Sequence, residues 1–178
     1  MSKRGRMGDV LTGGTKDVNP QYLTVAVTES AANTFTQTEL QLPVLRGGNM
    51  RGNKYQVIEL LKLMIDITAG DGATASERTL ALTTSTQTAM QIITNPDVIA
   101  FFGDNIIITT SGLYSPERIK IIDLTDQAGH GIIIATQSVF LGLQGVSQTS
   151  ALTARCRLYY RFKNISIDEF VGLAIQNS

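Results

Sequence analysis

One segment near the C-terminal end of the chain, residues 152–163, alternates apolar and polar side chains more regularly than any other part of the sequence. Its apolar positions are Leu152, Ala154, Cys156, Leu158, Tyr160 and Phe162. The positions between them are Thr153, Arg155, Arg157, Tyr159, Arg161 and Lys163. Because successive side chains of a β-strand point to opposite faces, the pattern predicts a strand with one apolar and one cationic face. Such a strand belongs to a sheet with one face on a core and the other against water or an anion.

Seven further segments have the length and composition of strands, and turn residues separate them. The eight predicted strands cover residues 21–29, 33–42, 54–68, 77–85, 105–110, 117–124, 131–141 and 151–163. Strands at these spacings are typical of a sandwich or a barrel. The predicted fold class is all-β: a single jelly roll, an eight-stranded sandwich of two sheets, with one or two short helices.

Residues 54–67 fit two alternatives. A helix would place one apolar stripe at Val57, Ile58, Leu61, Met64 and Ile65. A strand would place one apolar face at Val57, Leu61, Leu63, Ile65 and Ile67, with Glu59 interrupting it. We favour the strand because the surrounding segments are β-rich, and the helix stays open.

Two short helices are predicted from capping residues. The first begins at Asn95, which can cap a helix with Pro96 in its first position, and it ends at Gly103. The second follows Ser166, which forms a capping box with Glu169. An extended tail is the alternative for this second segment.

The length and composition indicate one domain preceded by an arm. The chain has 178 residues, of which 43% are hydrophobic, and this suffices for a core of its own. Residues 1–18 predict a flexible basic N-terminal arm, and residues 19–178 predict the jelly-roll domain. No apolar run approaches the ~20 residues that cross a bilayer, and the first residues lack a secretory signal. We therefore expect synthesis inside a cell and no membrane partner.

The residue inventory argues against catalysis. His130 is the one histidine and Cys156 the one cysteine. Cupin-type and zinc sites need several imidazoles or thiolates, and a Ser-His-Asp triad would depend on His130, which no nucleophile-elbow sequence accompanies. A hydrogen-bonded turn residue explains His130 better. We expect no enzyme activity, no metal and no cofactor.

The charges are balanced in number but segregated along the chain. Fifteen basic and fifteen acidic residues give a net charge of zero, yet no acid lies between Asp126 and Asp168. The candidate nucleic-acid-binding residues are Lys3, Arg4, Arg6, Arg155, Arg157, Tyr159, Arg161 and Lys163. The cations would neutralise phosphates, and Tyr159 would stack on a base. The alternative is that the strand cations pair with Glu29, Glu59 or Asp66 on neighbouring strands.

Three stretches of the C-terminal part carry a resemblance in combination. They are Asp126-Gln-Ala-Gly-His-Gly-Ile-Ile-Ile-Ala-Thr136, Tyr160-Arg-Phe-Lys-Asn-Ile165 and Asp168-Glu-Phe-Val-Gly172. Together they resemble the capsid proteins of small circular Rep-encoding single-stranded DNA viruses, the circovirus-like viruses of environmental sequencing.

The resemblance implies a virion protein. Residues 19–178 would be a jelly-roll capsid domain that self-assembles into a small icosahedral shell of about 60 copies. The shell would enclose a single-stranded DNA genome, with RNA as the alternative cargo, and the basic arm would lie inside it. This arm has three cations before Asp9, whereas circoviruses carry long Arg-rich arms. The alternative function is a trimeric jelly-roll binding module, lectin-like or cytokine-like.

Overall fold

The computed structural model describes residues 20–43, 54–68, 75–109, 112–114 and 119–176. These residues contain ten strands and one helix. The strands are β1 (Gln21–Thr28), β2 (Thr36–Gln41), β3 (Lys54–Ile67), β4 (Ser76–Thr83), β5 (Val98–Thr109), β6 (Gly112–Tyr114), β7 (Ile119–Asp123), β8 (Ile132–Ile134), β9 (Ser138–Val146) and β10 (Thr153–Ser166), and the helix is α1 (Ile167–Gln176). The predicted arm, residues 1–18 with Lys3, Arg4 and Arg6, lies outside the described residues.

The strands form the two antiparallel sheets of a jelly roll, which confirms the predicted fold class. The first sheet has the order β1-β10-β3-β7, and β8 pairs with β3 on the same edge as β7. The second sheet has the order β2-β9-β4-β5-β6. Neighbouring strands come from distant parts of the chain, since β10 lies between β1 and β3 while β9 lies between β2 and β4.

The core lies between the two sheets. The predicted apolar face of β10 points into it: Leu152, Ala154, Cys156, Leu158 and Tyr160 are buried, and Phe162 packs partly buried against them. The second sheet contributes Leu80, Leu82, Val139, Leu141 and Leu143 to the same cluster. The outward residues of β10 are therefore the predicted polar set, and the face assignment is confirmed.

Two buried charged side chains tie the sheets together at one end of the sandwich. Glu29 accepts hydrogen bonds from the backbone N–H groups of Gly145 in β9 and Leu152 before β10, both at 2.7 Å. Arg78 in β4 donates to Asp104 at 2.6 Å and to the carbonyl of the residue after β3 at 3.1 Å. Burial of a charge requires such partners. Glu29 thus binds backbone amides and not the cations of β10.

A β-bulge explains why residues 54–67 also fit a helical stripe. They form strand β3, but the register with β10 shifts between Tyr159, opposite Lys62, and Tyr160, opposite Leu60. Leu61 is the extra residue, and one extra residue reverses the alternation of faces. The core residues of β3 are Ile58 and Leu60 before the bulge and Leu63, Ile65 and Ile67 after it.

Two sequence predictions were wrong. Residues 95–103 do not form a helix: the Asn95 side chain accepts a hydrogen bond from the Asp97 amide at 2.9 Å in a turn, and Val98 begins strand β5. An Asn that can cap a helix can equally close a turn, and pairing of β5 with β4 decides the outcome. Residues 131–141 are not one strand either, because β8 and β9 belong to different sheets and residues 135–137 cross between them.

The second predicted helix is present as α1. The Ser166 hydroxyl accepts a hydrogen bond from the Glu169 amide at 3.2 Å, as an N-cap does. Phe170 stacks on Tyr55 of β3 with ring centroids 4.6 Å apart. This contact anchors α1 to the first sheet.

Candidate nucleic-acid interface

The outward face of the first sheet carries the predicted nucleic-acid-binding residues that the structure describes. The registers of β1, β10 and β3 place outward side chains in rows across these strands. The rows are Tyr22–Tyr159–Lys62, Thr24–Arg157–Met64 and Ala26–Arg155–Asp66. We call these three rows the open half. Arg161 and Lys163 lie beyond the bulge, and we call their surroundings the covered half.

In the covered half, one carboxylate binds both cations. Glu59 Oε2 lies 2.5 Å from Arg161 Nε, and Glu59 Oε1 lies 3.7 Å from Lys163 Nζ. Arg161 also donates to the Gly129 carbonyl at 3.1 Å, so it ties the turn between β7 and β8 to β10. Glu59 is 0% exposed. Arg161 and Lys163 therefore follow the pairing alternative, and a phosphate here would have to compete with a buried carboxylate.

Gly131 allows this carboxylate to be covered. Its N–H donates to Glu59 Oε1 at 2.9 Å, and a Cβ at this position would lie 2.0 Å from the Leu60 carbonyl oxygen. Burial raises the pKa of Glu59, but hydrogen bonds from Arg161 and Gly131 and the charge of Lys163 outweigh it and hold the pKa below its ordinary value. Glu59 is therefore ionised at neutral pH, and its cations are engaged.

In the open half, two aromatic rings lie between two cations. The Arg157 guanidinium lies over the Tyr22 ring, 4.6 Å from its centroid, and the Lys62 ammonium lies 5.8 Å from the centroid of Tyr159. The two ring centroids are 6.0 Å apart with an interplanar angle of 50°. Tyr22 is 57% exposed. Exposed rings beside positive charge are the combination that sites for single-stranded nucleic acids use.

A depression of about 460 Å³ adjoins these rings, and Arg157, which lies over Tyr22, is one of its lining residues. Arg155 also lines it, as do Met64 and Asp66 of β3 and Ile119 of β7. Its volume lies within the roughly 300–1,000 Å³ of sites for small molecules. The open half thus offers an exposed ring and an adjoining recess on one surface.

Two members of this surface, Tyr22 and Lys62, were missed by the sequence analysis. Both fall on the outward side of their strands, and this signal was available from the alternation of residues. That they meet Tyr159 depends on the register of β1 and β3 against β10, which no local pattern specifies.

His130 and Cys156 have structural surroundings. The His130 backbone N–H and its ring Nδ1 lie 2.8 Å and 3.2 Å from the Asp126 carboxylate oxygens in an exposed turn. Burial, with a smaller contribution from Asp66, raises the pKa of the Cys156 thiol to about 12. Within the described ranges, no group of three or more His, Cys, Asp or Glu side chains could hold a metal ion. No helix in that part of the chain is long and apolar enough to cross a membrane.

The fold is that of known viral capsid proteins. No protein-family model matches the sequence, and no curated protein matches it. New Jersey polyomavirus VP1 superimposes with a TM-score of 0.55 and 8% sequence identity, over 83% of this chain and 99% of that one. Merkel cell polyomavirus VP1, in complex with disialyllactose, gives 0.56 and 8% over 86% and 98%. The human polyomavirus 7 VP1 pentamer gives 0.53 and 10% over 82% and 96%.

At these identities the likeness concerns the fold alone. It extends over nearly the whole length of each VP1 chain, so the jelly roll is shared as a unit. The similarity to capsid proteins holds at the level of the jelly roll, and no sequence match supports the circovirus-like viruses in particular.

Proposed function

We propose that this chain is a viral coat protein, a component of the virion that self-assembles into a closed icosahedral shell. The observation that carries the proposal is the complete two-sheet jelly roll shared with polyomavirus VP1 over 96–99% of the VP1 chains. The enzyme-like features of the sequence, His130 and Cys156, lie in a turn and in the core.

Assembly requires apolar surface that a subunit exposes and a shell buries. Two isoleucines of the loop between β4 and β5 are the clearest examples, each more than half exposed: Ile92 and Ile93. The VP1 proteins of human polyomaviruses 6 and 7 are pentamers, which supports a homo-oligomer here. A shell of about 60 copies is the smallest closed icosahedral arrangement for such a subunit.

The cargo we propose is a single-stranded DNA genome, with RNA as the alternative. Arg155, Arg157 and Tyr159 of the open half make the contacts, and the arm adds Lys3, Arg4 and Arg6. Arg161 and Lys163 hold Glu59 in place and contribute less. Each contact is weak and independent of sequence, and many copies along one genome make weak contacts sufficient.

Size-exclusion chromatography of the full chain, followed by negative-stain microscopy, tests the proposal. Closed particles at the megadalton scale are expected, since 60 chains of 19.2 kDa have a mass of about 1.2 MDa. A species of about 60 kDa, stable across salt, pH and protein concentration, would be a trimer, the state expected of the alternative binding module, and would refute the coat function. A monomer under all these conditions would also refute the coat function.

A further inference from the structure

We propose that Tyr22, Arg157, Tyr159 and Lys62 form a base-stacking platform, so that the chain binds single-stranded nucleic acid through its unpaired bases and not as a general polyanion. The inference rests on the proposed packaging of nucleic acid and specifies which form is bound and by which residues.

The four side chains lie close together on one surface of the first sheet. Arg157 and Lys62 lie on the rings of Tyr22 and Tyr159 at 4.6 and 5.8 Å, and the two rings are 6.0 Å apart. They come from three adjacent strands, whose spacing of about 4.8 Å makes the platform roughly 10 Å wide. A surface of this width accommodates one or two bases with their phosphates.

The Tyr22 side chain is largely exposed to solvent. Its ring lies on the outward face of β1, away from the core, and is 57% exposed although Arg157 lies over it. A ring that contributes so little buried area to the subunit retains surface for a flat aromatic ligand. The hydroxyl of Tyr22 is not needed for stacking, whereas the ring is.

The shape of the surface favours a single strand over a duplex. The rings lie on the face of a sheet, so they can stack only on a base that is not already stacked and paired within a duplex. The depression next to Arg157, of about 460 Å³, gives a neighbouring nucleotide room on the same surface. Arg155 and Arg157 both line it and can neutralise phosphates of the strand.

A comparison of thymidine and abasic oligonucleotides of equal length tests the platform, because both carry the same backbone charge. Fluorescence anisotropy with the dissociated full-length chain should show tighter binding of the thymidine strand than of the abasic strand. Tyr22→Ala should weaken binding of the thymidine strand by about 5- to 150-fold, the range for loss of one stacked base, and leave the abasic strand unaffected. Tyr22→Phe should bind like the parent, and so should Gln41→Ala, a change at an exposed position of β2 in the second sheet.

Salt dependence separates the two kinds of contact. The log–log slope should be unchanged in Tyr22→Ala and smaller by about 0.7 in Arg157→Gln, since only the arginine releases a counterion. Equal affinity of the parent chain for thymidine and abasic strands would overturn the platform, and so would an unaltered thymidine affinity in Tyr22→Ala. Particle formation is scored separately: particles without base-dependent binding refute the platform alone, whereas base-dependent binding without particles refutes the coat function alone.

Discussion

Arg157 and Arg161 share a strand and a face but differ in what they bind. Arg157 lies over the exposed Tyr22 ring, whereas Arg161 is hydrogen-bonded to the buried Glu59 carboxylate. Arg161→Gln removes the closest cation of a buried anion, which costs roughly 3–5 kcal/mol for a fully buried pair. Because Arg161 is 27% exposed and Lys163 remains, we expect a loss of about 1–3 kcal/mol of unfolding free energy. Arg157→Gln is the matched control and should change the free energy of unfolding by less than about 0.5 kcal/mol.

Urea denaturation of both variants at several pH values measures this difference. The folded-state pKa of Glu59 lies below its ordinary value, so its contribution to stability is present above that value and is lost as pH falls through the folded-state pKa. The Arg161→Gln defect should therefore be full at pH 7 and shrink in acid. Equal stability of the two variants at pH 7 would show that Arg161 does not hold Glu59.

At the scale of elements, the contact between β3 and β8 depends on one glycine. A Cβ at Gly131 would lie 2.0 Å from the Leu60 carbonyl oxygen and would lift β8 away from Glu59. We expect Gly131→Ala to destabilise the fold by about 1–3 kcal/mol, the usual cost of overpacking. Gly172→Ala in α1 is the control: its Cβ meets nothing within 4 Å, and it should stabilise the helix by about 0.5–1 kcal/mol. Thermal unfolding of both variants measures this, and a neutral Gly131→Ala would contradict the close packing.

The elements that were predictable are those whose local pattern and tertiary role agree. The alternation of β10 identified its buried face correctly because the strand is central and flanked on both sides. The capping residues of α1 were sufficient to predict this helix because it lies at the edge of the fold. The local pattern gave a wrong prediction where strand pairing determines the structure. Asn95 indicated the start of a helix, but the pairing of β4 with β5 makes the residues after it a strand. The division of residues 131–141 between two sheets has no local signature at all.

The candidate site was predictable in part. The outward cations of β10 could be read from the sequence, but their partners could not, because the β3 bulge decides which carboxylate they meet. Glu59 interrupted the apparent strand face in the sequence, and the structure gives the reason: before the bulge, odd-numbered residues of β3 point outward. Tyr22 joins the site through its register with Tyr159, across 137 residues of chain.

At the scale of the whole molecule, one loop presents apolar surface in a fixed position. Residues 84–97 link β4 to β5. The backbone N–H of Gln87 donates to the side-chain oxygen of Gln37 in β2 at 2.9 Å, and the backbone N–H of Thr84 donates to the backbone carbonyl of Asp97 at 2.9 Å. Held by these bonds, the loop exposes Ile92 and Ile93, the latter by 74%. Under the proposed coat function, such a pair is suited to burial against a neighbouring copy.

We expect Ile93→Asp to reduce particle yield at least tenfold while the subunit stays folded. A charge buried without a partner opposes the contact, whereas an exposed charge costs the free subunit little. Thr88→Asp adds the same charge to an exposed position of the same loop and should assemble normally. Yield is measured by sedimentation and folding by circular dichroism. Normal assembly of Ile93→Asp would place the subunit contact elsewhere.

The central position of β10 has a consequence for the timing of synthesis. Among the described strands it is translated last, yet β1 and β3 pair through it and not with each other. While a ribosome is still adding Thr153–Ser166, the first sheet therefore has no middle strand, and its outward rows do not exist. A nascent chain therefore has no finished first sheet while it is still being translated. Under the proposed coat function, this order would keep synthesis and genome binding apart, because the outward rows of the first sheet form only after β10 has been made.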